Sequence, residues 1–170
     1  MAMEMRKVNA VRVRGWDECN SLNRWWEFKN PIMVVRNFAV IELAKILPSL
    51  RLKRWLLAAI GMKIGRNAAV GLGVQFDIFF PELIELGENC IVGYGATLLT
   101  HEFLIKELRI GKVVIGKNAL VGANSTILPG VRIGENAVIS ACSLVNRDVP
   151  GGAFVCGVPA RRRGRRSRER

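Results

Sequence analysis

The 170-residue chain contains one histidine, His101, in the polar run Thr100-His101-Glu102. Imidazole is the side chain that gives and takes a proton near neutral pH, so His101 is the natural general base for a reaction that activates a hydroxyl. Its orientation requires an acceptor on the second ring nitrogen, which Glu102, Glu107 or a backbone carbonyl could provide. The four cysteines, Cys19, Cys90, Cys142 and Cys156, show no CxxC spacing. With one histidine the chain has too few ligands for a His/Cys metal site, and no metal is expected. Four free thiols point to a reducing, cytoplasmic compartment, with Cys90 and Cys142 expected as small apolar side chains facing the interior.

The element that carries His101 interrupts a repeat. Ile115, Val121, Ile127, Ile133, Ile139 and Val145 lead hexads from Ile115 to Pro150, and the same register starts earlier at Ile64, Val70 and Phe76, then at Leu86, Val92 and Leu98. A period of six fits neither a helix near 3.6 nor a strand at 2; it fits a stacked coil with three short faces and eighteen residues per coil. The aliphatic leader points inward, a small residue fills the corner, and glycine permits the turn. An all-β solenoid of about five coils over residues 64–160 is therefore expected, with an excursion over 99–114, and a polar excursion from a regular scaffold is where function concentrates.

Residues 1–63 read differently. Asn30-Pro31 is a cap followed by proline at the first helical position, and Ser49 can cap a second helix that Gly61 stops, giving two N-terminal α-helices at about 30–47 and 50–60. Two readings compete: the helices cap the open end of the solenoid, or they lie on a membrane with Trp25, Trp26, Phe28 and Trp55 at its interface. The net charge of +12 sits at the two ends: residues 1–63 carry 12 basic and 5 acidic groups, 64–160 carry 7 and 8, and the tail 161–170 carries 7 and 1. The arginine tail is expected to be flexible and solvated, without the stacking aromatics of a specific nucleic-acid binder. Residues 1–15 lack the continuous apolar core of a signal peptide.

The stretch Ile115-Gly116-Lys117-Asn118-Ala119, continuing through Ile127-Leu128-Pro129-Gly130-Val131 to Asp148-Val149-Pro150 and Gly157-Val158-Pro159-Ala160, resembles the hexapeptide-repeat O-acetyltransferases, among them galactoside and maltose acetyltransferases. The resemblance covers about residues 61–160. It implies a left-handed parallel β-helix, a homotrimer, and transfer of an acetyl group from acetyl-CoA to a hydroxyl in clefts between subunits. It implies His101 as the general base, with Glu102 beside it, and the backbone N–H of Ala123 as the oxyanion donor. It also implies Ala141 along the pantetheine arm, Asn146 and Arg147 near the nucleotide, and Arg161 on a CoA phosphate. Acceptor recognition in the family uses a polar residue of an early coil, a region held here by Gln75 and Asp77; Asp77 is preferred, with a capped turn as its structural alternative.

Two departures weaken a sugar as acceptor or strain the coil. Leu120 stands where sugar acetyltransferases carry a tryptophan, and Cys142 replaces the glycine of a tight corner. The apolar segment Phe76 to Glu82 suits a greasy alcohol and, with the apolar helices, is similar to a subgroup with an extended N-terminus for which the acceptor would be a lipid alcohol. The other readings are a noncatalytic scaffold and a membrane or nucleic-acid adaptor. A carbonic anhydrase on the same coil would need three histidines.

Overall fold

The leaders of the hexads are the axis of the molecule: Ile115, Val121, Ile127, Ile139 and Val145 are fully buried and stack in one aliphatic column. The computed structural model describes residues 3–11 and 20–164; Cys19 and the tail from Arg165 onward lie outside the described residues. Three parallel sheets wrap the column. The first holds β2 (Lys63–Ile64), β5 (Ile84–Leu86), β10 (Val113–Ile115) and β13 (Arg132–Ile133). The second holds β3 (Ala69–Val70), β6 (Ile91–Val92), β11 (Leu120–Val121), β14 (Val138–Ile139) and β16 (Phe154–Cys156), with β17 (Arg161–Arg163) added antiparallel at its end. The third holds β4 (Gln75–Phe76), β7 (Thr97–Leu98), β12 (Thr126–Ile127) and β15 (Leu144–Val145). This is the expected left-handed parallel β-helix of hexapeptide repeats.

The corners explain the residue types between leaders. Asn89, Asn118 and Asn136 adopt left-handed φ of 57°, 55° and 58°, which asparagine tolerates better than other side chains. They hydrogen-bond in a ladder, Asn89 Nδ2 to Asn118 Oδ1 at 2.8 Å and Asn118 Nδ2 to Asn136 Oδ1 at 3.3 Å. Gly122 answers to close approach instead, because a Cβ there would lie 2.4 Å from the Ala141 nitrogen. Cys142 occupies a corner position with φ of 57° and is exposed, so the expectation of an inward thiol fails: a left-handed residue at this corner directs its side chain outward. Cys90 is buried, and burial pushes its thiol up to about 11.

Coil length is not uniform. Ile115 pairs with Ile133 and Ile127 with Val145, the expected eighteen residues. Phe76 pairs with Leu98 across 22 residues and Leu86 with Ile115 across 29, whereas Ile139 pairs with Val155 across only 16. The extra residues of the first two coils leave the solenoid at the same corner, after β4 and after β7. One insertion is the short turn Asp77 to Leu83; the other is a hairpin of β8 (His101–Phe103) and β9 (Leu108–Ile110), to which β1 (Asn9–Val11) adds antiparallel. The excursion is thus an ordered hairpin, and the coil resumes at Val113.

Helices α1 (Pro31–Ile46) and α2 (Leu50–Ala59) cover the first coil. Asn30 Oδ1 accepts from Ile32 N, and Ser49 Oγ accepts from Leu52 N, so each helix starts at a side-chain cap. The outermost coil presents carbonyls with no further strand to bond them. The buried Lys53 of α2 donates to Val70 O at 3.1 Å and Gly71 O at 2.8 Å, and burial lowers its pKa. Lys45 O of α1 accepts from Gly73 N, and Asn37 Nδ2 donates to Ile78 O.

Candidate active site

Because Phe76 stacks on Leu98, the residues that follow them meet in space. Asp77 and His101, 24 positions apart, are joined by a contact of 2.5 Å from His101 Nδ1 to Asp77 Oδ2. The Asp77 side chain is fully buried and also accepts from four backbone N–H groups: Phe79 and Phe80 on Oδ1 at 2.8 and 3.0 Å, Thr100 and His101 on Oδ2 at 2.9 and 3.1 Å. Burial acts to raise the Asp77 pKa; the His101 imidazole and the N–H groups of Phe80 and Thr100 outweigh it and hold the carboxyl below its ordinary value. A carboxylate only accepts hydrogen bonds. Nδ1 of His101 therefore carries a proton, which in the neutral imidazole places the lone pair on Nε2, an atom with no partner among the described residues.

This arrangement corrects two expectations. Asp77 is sealed from solvent and aims at His101, so it orients the imidazole and caps its own turn rather than contacting an acceptor molecule. Glu102 does not hold the imidazole either: its Oε2 pairs with Arg6 Nη2 at 2.8 Å, because alternate residues of a strand face opposite sides and Glu102 follows His101 directly. Glu107 lies across the hairpin paired with Arg109. Gln75 is half-buried with its Nε2 donating to Phe76 O.

The hairpin is clamped from both sides. On one, Arg6 also donates from Nη1 to Pro129 O at 3.2 Å, and Lys7 N donates to Gly130 O at 3.2 Å. The strap lies so close that a Cβ on Gly130 would sit 2.1 Å from Lys7 O. On the other, the buried Ser21, at the start of the 3₁₀ turns Ser21–Glu27, donates to Leu104 O at 2.5 Å. Aromatic rings surround the imidazole edge-on: Phe79 and Phe103 at 4.8 Å, Phe80 at 6.2 Å, with Trp25 on Phe79 at 5.6 Å. Sequence reasoning missed Arg6, Phe103 and the aspartate partner. The usable signal for Asp77 was that the hexad register breaks twice at equivalent points, after Phe76 and after Leu98.

The remaining predicted residues lie apart from His101 within one chain. Ala123 and Ala141 stack at the corner between the second and third sheets, with Cys142 N donating to Ala123 O at 2.8 Å. The Ala123 N–H has no partner among the described residues. His101 stands at the next corner, and the hexad from Ala123 to Pro129 separates the two corners by up to roughly 20 Å at ~3.3 Å per extended residue. Asn146 follows β15 with a buried Oδ1 that lacks a partner; Arg147 is exposed and its backbone bridges to Met5. Arg161 opens β17 with Nη1 on Ala160 O, so the basic tail begins as a strand. A separate groove of about 410 Å³, lined by Glu4, Arg132, Glu135 and Asp148, lies off the first sheet and does not include His101. Burial raises the pKa of Asp148 there, although Arg132 N donates to it at 2.8 Å. No group of three or more His, Cys, Asp or Glu able to hold a metal occurs among the described residues.

Comparison with known proteins is consistent with this geometry. The family described as bacterial transferase hexapeptide (six repeats) matches residues 112–147. The protein named "Putative acetyltransferase YvoF" from Bacillus subtilis (strain 168) is 48% identical over 158 residues, covering 92% of this chain and 90% of that protein. Among solved structures, a galactoside acetyltransferase in complex with coenzyme A is 25% identical with a TM-score of 0.62, covering 79% of this chain and 80% of the other. The hexapeptide-repeat acetyltransferase VCA0836 of Vibrio cholerae O1 biovar eltor, complexed with acetyl coenzyme A, shares the fold at 20% identity and a TM-score of 0.61, covering 77% and 85%.

Proposed function

Because the chain belongs to the hexapeptide-repeat acetyltransferases and is an acyltransferase, we propose that it transfers an acetyl group from acetyl-CoA to a hydroxyl of a sugar or lipid alcohol, with His101 as general base, at the interfaces of a homotrimer. The observation that carries this reading is the Asp77–His101 pair: a buried carboxylate on Nδ1 fixes the tautomer in which the neutral imidazole turns its lone pair at Nε2 to a hydroxyl. His101 Nε2 takes the proton of the acceptor hydroxyl as its oxygen bonds to the thioester carbonyl carbon. The backbone N–H of Ala123, supplied by a neighbouring copy, donates to the carbonyl oxygen as it becomes negative. The C–S bond then breaks and the imidazolium returns its proton to the leaving sulfur. Atoms and charge balance without a covalent acyl-enzyme or a metal.

Two features support a site shared between chains. His101 leaves the coil of β7 at one corner and Ala123 lies at the neighbouring corner of the next coil, so a second copy would bring the two to one substrate. The unpartnered Asn146 Oδ1 is a buried acceptor that a donor group on the nucleotide portion of CoA would satisfy, and Arg147 and Arg161 are cations suited to its phosphates. Ala141 lies on the same corner as Ala123, in line for the pantetheine arm. The aromatic shell of Phe79, Phe80 and Phe103 favours an acceptor with an apolar portion. His101→Ala is expected to lower turnover, followed as release of CoA thiol, by about a hundredfold to ten-thousandfold while calorimetric binding of acetyl-CoA is kept. Unchanged turnover would remove His101 from the mechanism and favour a noncatalytic coil.

A further inference from the structure

Helix α1 is apolar on both sides. Val34, Ile41 and Ala44 face the coil and are buried, whereas Ile32 and Ile46 are 78% and 75% exposed, with Val35 and Phe38 exposed between them. On α2, Trp55 is 68% exposed. A helix that only closed a solenoid in water would carry polar residues on that outer side. The exposed apolar surface continues to the catalytic hairpin: Trp26 is exposed next to Trp25, which packs on Phe79, and the hairpin tip held by Ser21 presents Ile105 at 70% exposure.

The charges of the same region identify what covers it. Along the coil, Glu85 pairs with Lys112, and Glu88 with Arg66 and Lys117. In the cap, Arg51 and Arg54 make no ion pair among the described residues, and the exposed Arg36 bonds only the neutral Asn37. Unneutralised arginines around exposed isoleucine, phenylalanine and tryptophan match an anionic, amphipathic surface. A two-fold contact with a second copy through this face would bring the same arginines together and repel. Among the described residues no helix is long and apolar enough to cross a membrane, so the contact is with a surface.

We propose that the helical cap docks on an anionic lipid bilayer, with Ile32, Val35, Phe38 and Trp55 in the headgroup–acyl boundary and Arg36, Arg51 and Arg54 on lipid phosphates. Docking brings the mouth beside His101 to the bilayer and selects a lipid alcohol as acceptor; this second consequence rests on His101 as the base, whereas docking itself does not. The test is co-sedimentation of the full chain with vesicles of phosphatidylcholine alone and with phosphatidylglycerol, at low and high salt. Binding is expected only to the anionic vesicles and is weakened by salt. Arg51→Gln and Arg54→Gln each weaken it roughly fivefold, and Ile32→Glu with Val35→Glu abolishes it. Circular dichroism and acetyl-CoA binding remain as in the parent chain, which separates loss of docking from loss of fold or of the donor site. Absence of sedimentation with either vesicle overturns the proposal. So does a change of native mass in Ile32→Glu with Val35→Glu at unchanged vesicle binding, which would assign the stripe to a second copy.

Discussion

The coil and the helical cap use the same residue types to opposite ends. In the coil, large aliphatic side chains such as Ile115 and Ile127 are fully buried, and the corner charges pair along the stack. In the cap, isoleucines, valine and tryptophan point to solvent beside arginines with no ion-pair partner among the described residues. The coil therefore buries its leaders along its own axis, while the cap buries apolar side chains only on the side that faces the coil. His101 lies where the two meet, on a hairpin held between the Arg6 strap and the turns that lead into α1.

The sharpest break in that comparison comes from Asp77, the carboxylate by which the first coil reaches into the hairpin. Asp77→Asn is expected to lower turnover by about a hundredfold to ten-thousandfold, because an amide can donate to Nδ1 and reverse the imidazole tautomer. The same variant tests stability against acid. A carboxyl with a depressed folded pKa contributes stability that is present above its unfolded value, about 3.9, and is lost as pH falls through the folded value. The parent chain should lose stability below about pH 4, and Asp77→Asn should flatten that part of a denaturation-midpoint profile.

Next in size is the same substitution made in both regions. Ile115→Ala deletes a fully buried side chain and should cost about 2–5 kcal/mol in urea unfolding. Ile46→Ala removes one that is already in water and should stay within about 0.5 kcal/mol. A large loss for Ile46→Ala would mean that the outer face is packed in solution. A loss below that of Ile115→Ala concerns the seam. Lys53→Met leaves the Val70 and Gly71 carbonyls without their donor and should cost about 1–3 kcal/mol in thermal unfolding. Because burial lowers the lysine's pKa, the cost of keeping it charged disappears as pH rises through the folded value, so the difference between the two proteins should change in the alkaline range.

The solenoid was legible because its information is local and repeated. A hydrophobic leader every six residues and Asn or Gly at the left-handed corners, Cys142 excepted, specify a three-sided coil whatever lies above or below it. The position of His101 on an interruption of that rhythm was equally visible. Its partner was not, because the contact between Asp77 and His101 depends on the first coil taking 22 residues and stacking Phe76 on Leu98. Nothing in the spelling of Asp77 distinguishes a residue that meets a substrate from one that points inward.

Residue pattern alone determined the β-helix, the helix caps at Asn30 and Ser49, and the place of the one histidine on an interruption of the coil. Only the tertiary structure decided that Asp77 holds that imidazole, that Glu102 belongs to Arg6, and that Cys142 faces outward. The division follows from range. Periodicity and capping act within a few residues, whereas side-chain partners 24 and 96 positions apart are chosen by insertion lengths and by a strap that returns across the coil.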